Sequence, residues 1–199
     1  MQKVFEPSEL ELWDVQGDPN QAIEIQSKIK ELLQANRQRL RPLLAEITDR
    51  GAWALPGVIN ATYIWMSEME VRQTQKMLAG LMADLARGNT AATDLLFRAG
   101  ILETPFAVPR AICRQALEAV NWQPDERQTA RLRQEIAMAN KLGDVQTVLD
   151  LYGLLLKTGG QADLTNARNQ CVGWVREKRA EAGRLLKLLI DKVPAQVVP

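Results

Sequence analysis

Apolar residues recur at three- and four-residue spacing in segments punctuated by glycine and proline. That pattern points to one fold class for this chain: an all-α, irregular multi-helix bundle of about eight helices with short connections. Ser8 followed by Glu11 is a capping-box pattern for a short N-terminal helix that carries Leu10, Leu12 and Trp13 and stops at Gly17. Asp18-Pro19 sets an N-cap before proline at the first helical position and opens a second helix. Its apolar stripe is Ile25, Ile29, Leu32, Leu40, Leu43 and Ile47, with Asn36 in the seam. Pro42 lacks an amide hydrogen and its ring clashes with the preceding turn, which predicts a kink near Leu40 or a fresh start at Pro42.

Gly51 to Gly57 reads as a connector with Trp53 at its middle. The following residues, Val58 to Trp65, are β-prone. Ile64, Val71, Leu78 and Leu85 nevertheless recur every seven residues, and a lone strand over 58–66 would have no partner, so one long helix from Val58 to Arg87 is expected. Gly88-Asn89 closes it, Thr90 to Ala99 forms a short helix stopped by Gly100, and Pro105 and Pro109 bracket an irregular segment. The expectation is a single helical domain over 1–199, with the proline-bearing segment 101–108 joining an N-terminal lobe (1–100) to a C-terminal lobe (109–193). Further helices are expected over Pro109–Val120, Asp125–Leu142 and Val145–Lys157. A last one over Asp163–Lys192 has the stripe Leu164, Ala167, Cys171, Trp174, Leu185, Leu189 and Val193 and is ended by Pro194.

The chain contains no histidine, which removes the usual neutral-pH general base and the commonest transition-metal ligand. Cys113 and Cys171 are the only cysteines and lie far apart, without a C-x-x-C pair. No catalytic residue, cofactor site or metal site is indicated, and an enzyme is not the expected class. Lys157-Thr158 lies among glycines but closes a helix, whereas a phosphate loop needs its Gly-Lys-Thr run to open one. Glu6, Glu9, Glu11 and Asp14 stand where a secretory signal would be basic and then apolar, and no apolar run is long enough to span a bilayer, so a cytoplasmic location is expected.

The stretch ANKLGDVQTVLDLYGLLLK resembles the second half of a tetratricopeptide repeat through Gly143, Asp144, Val148, Tyr152 and Leu155. Ile136, however, stands where such repeats need a small residue, and no second copy lies one repeat length upstream, so the pattern is that of an antiparallel helix pair joined by Gly-Asp. Lys30, Arg37 and Arg41 share a face of the expected second helix, giving a narrow basic stripe suited to nucleic-acid phosphates. Against a net charge of +1 and with Glu24 and Glu31 nearby, that stripe reads first as a solvated helix face. Arg127, Arg131 and Arg133 admit the same reading. Met66, Met69, Met77 and Met82 suit core gap-filling or an adaptable docking surface. Trp53 and Trp122 lie in proline-bearing connectors, where an indole can anchor a partner. The function expected is therefore a helical protein–protein interaction or assembly protein (adaptor, chaperone or structural subunit), whose partner is another protein or a second copy of itself. A nucleic-acid-binding accessory role through Lys30, Arg37 and Arg41 is the alternative.

Overall fold

The computed structural model describes residues 19–191; the expected first helix and the residues beyond 191, Val193 and Pro194 included, lie outside the described residues. Every regular element among those described is helical, with eleven α-helices and no strand. They fall into two compact units, one ending at Trp122 and the other beginning at Gln123. No helix among the described residues is long and apolar enough to cross a membrane.

The first unit contains α1 (Pro19–Gln34), α2 (Arg37–Thr48), a 3-10 turn (Gly51–Ala54), α3 (Leu55–Ile64) and α4 (Met66–Met69). It continues with α5 (Arg72–Ala86), α6 (Thr90–Phe97), a π turn (Arg98–Leu102) and α7 (Ala107–Ala119). The β-prone run around Val58 is helical because α3 sits at the centre of the unit: Leu55, Val58, Ile59, Ala61 and Thr62 are all buried, so apolar residues surround the helix instead of marking one stripe. Helix α1 packs on α3, and α5 packs on α7 through Leu78, Met82, Ile112, Cys113 and Ala116. Two glycines permit close approaches here. A Cβ on Gly57 would lie 2.6 Å from Cβ and Cγ2 of Ile25, and one on Gly100 would lie 2.3 Å from Sγ of Cys113.

Four breaks that carry neither glycine nor proline raise the helix number from the expected eight. The second helix ends at Gln34, and Asn36, expected in the seam, is the N-cap of α2; its side-chain oxygen accepts from the Gln38 and Arg39 amides at 3.2 and 3.1 Å. Pro42 consequently lies inside α2 and does not start it. The GAWALPG connector is itself helical, running through the 3-10 turn into α3 with Pro56 in the first turn. The single helix expected over 58–87 breaks at Trp65 and again at Val71, where extended backbone precedes α5; Ile64 and Val71 of the seven-residue pattern are both exposed.

The second unit is two helical hairpins: α8 (Glu126–Leu142) with α9 (Val145–Leu155), and α10 (Gln161–Arg176) with α11 (Glu181–Ile190). Asp125 caps α8 in a reciprocal capping box with Gln128. Gly143 then takes the left-handed conformation (φ 71°) at the turn, and Asp144 caps α9 by accepting from the Thr147 amide. The last expected helix is corrected in the same way. Lys178 adopts φ 56°, and the chain turns back so that Leu185 and Leu189 of α11 pack against α9 and α10. Helix α9 supplies the centre of this unit through Val148, Leu151, Tyr152, Leu154 and Leu155.

Candidate functional site

Spacing on α10 brings Asp163, Asn166, Gln170, Gly173 and the C-cap residue Glu177 to one face, at intervals of three and four residues, with Asn169 beside them. Arg133, Ala137 and Asn140 of α8 form a matching row by the same rule. The two rows line a groove of about 470 Å³ whose base includes Tyr152 and Trp174, 4% and 3% exposed.

One end of the groove is fixed by a bidentate ion pair. Arg133 donates from Nε and an Nη to the two carboxylate oxygens of Asp163, each at 2.8 Å, while Asp163 Oδ2 also accepts from the Gly160 amide at 3.1 Å. Asp163 is only 2% exposed, whereas the Arg133 side chain is half exposed. Hydrogen bonding from Arg133 holds the Asp163 carboxyl below the usual aspartate range against the opposing effect of burial, and the same bond raises Arg133. Burial, with a smaller contribution from the Asp163 charge, pushes the Tyr152 hydroxyl above its ordinary value. The other end holds Glu177, which pairs with Arg179. Between these ends lie the carboxamides of Asn140, Asn166, Asn169 and Gln170, each with two donor hydrogens and an acceptor oxygen. No group among the described residues occupies them with a hydrogen bond.

Trp53, Trp122, Lys30, Arg37 and Arg41 belong to the first unit and do not form one site, whereas Arg127, Arg131 and Arg133 belong to the second, where Arg133 lines the groove. Trp53 is 38% exposed on the 3-10 turn and, with Glu24, Ile25, Arg50 and Ala54, lines a hollow of about 430 Å³ beside the Arg50–Glu24 ion pair. Trp122 is half-buried, its ring centroid 5.0 Å from that of Phe97. Replacing Trp122 by alanine is expected to cost about 2–3 kcal/mol, against less than about 1 kcal/mol for Trp53→Ala; urea denaturation of the two variants measures both.

Lys30 is on α1 and Arg37 and Arg41 are on α2, so the break at Asn36 removes the continuous helix that a shared face requires. The Lys30 ammonium lies 4.9 Å over the Trp65 ring. Arg131 pairs with Glu135, and Arg133 with Asp163. Met69 and Met82 are core residues, and Met66 and Met77 are half-buried. Among the described residues, no three cysteine or carboxylate side chains gather where a metal ion would be held. The groove was missed because asparagine and glutamine carry no motif. The usable signal was their helical spacing on the face of α10 next to Trp174.

Comparison with protein-family models, with curated proteins and with solved structures finds no match.

Proposed function

We propose that this chain is a helical interaction or assembly protein that engages another protein through the groove of its second unit. The observation that carries this reading is the row of carboxamides, without hydrogen-bond partners among the described residues, that faces a groove floored by two aromatic residues. Exposed amides over an aromatic base supply directional hydrogen bonds and apolar contact together, the combination that protein recognition surfaces use. Trp53, the most exposed of the described tryptophans, is a second candidate contact.

Gly173 offers the means to test it. This residue lies in the interior of α10 and lines the groove, and an added Cβ would meet nothing within 4 Å. Replacing a mid-helix glycine by a better helix former stabilises the helix by roughly 0.5–1 kcal/mol, so Gly173→Leu is expected to fill the groove without loss of stability. Affinity capture of the tagged full chain from its native cells, analysed by mass spectrometry, is expected to recover a protein partner that Gly173→Leu does not recover. A partner set unchanged by Gly173→Leu would contradict the assignment of the groove.

A further inference from the structure

We infer that the groove binds an extended, uncharged stretch of polypeptide through its main chain, with Asn140, Asn166, Asn169 and Gln170 pairing with the ligand's backbone N–H and C=O groups. The inference rests on the reading of this protein as an interaction module and specifies what the groove takes.

An extended peptide presents donors and acceptors in alternation along both edges, and a side-chain carboxamide carries the same two kinds of group. Asn140 stands on α8, opposite Asn166, Asn169 and Gln170 on α10, so both walls of the groove offer such groups. Length agrees. At a rise of 1.5 Å per residue the α10 wall from Asp163 to Glu177 runs about 21 Å, which matches about six residues of extended chain.

Charge decides between ligand classes. The basic groove residue, Arg133, is held by Asp163, and the remaining acid, Glu177, pairs at the groove's end with Arg179, which stands outside the lining, so every charged residue of the lining is paired. A nucleic acid needs uncompensated cations to neutralise its phosphates, and none lines this groove. The open space over Gly173 lets a ligand backbone come close to the α10 wall, where any larger side chain would stand in its path.

The test uses the full chain against a cellulose-bound array of random-sequence decapeptides, acetylated and amidated at their ends, with fluorescein-labelled single-stranded dT20 as the nucleic-acid probe. Array peptides that bind are resynthesised in two forms, unmodified and with alternate backbone nitrogens methylated, and their affinities are measured by fluorescence anisotropy. Uncharged sequences are expected to bind, with about tenfold or greater weakening both by backbone methylation and by Gly173→Leu, whose thermal midpoint is not lowered. The pair Asn166→Ala and Gln170→Ala, made together, is expected to act in the same direction, and dT20 is expected to bind neither form. Equal affinity for methylated and unmodified peptides, peptide binding indifferent to Gly173→Leu, or salt-sensitive binding of dT20 lost in Gly173→Leu would each overturn the inference. Absence of any array binding, with partner capture still sensitive to Gly173→Leu, would overturn main-chain recognition and leave the interaction reading standing. Capture insensitive to Gly173→Leu would remove that reading as well.

Discussion

Gly100→Ala is expected to destabilise the first unit by about 3 kcal/mol, because the added methyl has no free volume. It would fall 2.3 Å from Cys113 Sγ and 2.6 Å from Cys113 Cβ, and Cys113 is fully buried on α7, with its sulfur 3.9 Å from that of Met82. Rotating the thiol relieves the first clash but not the second, so the π turn and α7 must separate. Adding Cys113→Ala to the same chain is therefore expected to recover part of the loss and not all of it. Urea denaturation with hydrogen exchange followed over residues 72–119 measures the effect, and a change below about 1 kcal/mol would show that α7 yields more easily than its packing implies. The Cys113 thiol itself, pushed up to about 12 by burial, is expected to stay unreactive toward alkylating reagents until the unit opens.

Asp163→Ala is expected to cost the second unit about 3 kcal/mol, combining the charge-assisted bonds from Arg133 with the Gly160 amide at the start of α10. Arg133 is half exposed and regains water when the carboxylate is removed, which keeps the cost below that of stranding a buried cation. Asp163→Asn retains an acceptor for Gly160 and is expected to cost about half as much. The folded-state carboxyl titrates below its ordinary value of about 3.9. Its contribution is thus fully present above that value and is lost as pH falls through the lower folded-state value, since the unfolded chain binds the proton first. Wild type and Asp163→Asn should accordingly converge in stability in acid, and urea midpoints taken across the acid range test this.

Much of the fold was legible where the local chemistry is distinctive. The helix start at Asp125 and the Gly143-Asp144 turn rest on residues whose side chains, or the lack of one, decide the local geometry. The breaks at Trp65, Val71 and Lys178 were not legible. Trp174 and Leu185 are eleven residues apart, a spacing that fits three turns of one helix as well as it fits two helices folded back on each other, and Lys178 is an ordinary residue in an uncommon conformation. Asn36 was ambiguous for a different reason, since the same residue serves as a cap or as a polar position within a stripe. The groove was hidden because helical spacing places residues on a face but does not say which second helix stands opposite, and only the hairpin packing brings Asn140 across from Asn166 and Gln170.

The proposed contact between this protein and its partner runs through the carboxamides of the second unit. Nuclear magnetic resonance of the nitrogen-15-labelled full chain, titrated with the partner recovered by capture, tests it most directly because each side-chain NH2 pair gives its own signal. Shifts are expected at the NH2 groups of Asn140, Asn166, Asn169 and Gln170 and at the Trp174 indole, all of them absent in Gly173→Leu. Shifts confined to the Trp53 and Trp122 indoles, with those four amides unmoved, would contradict this and place the contact on the first unit.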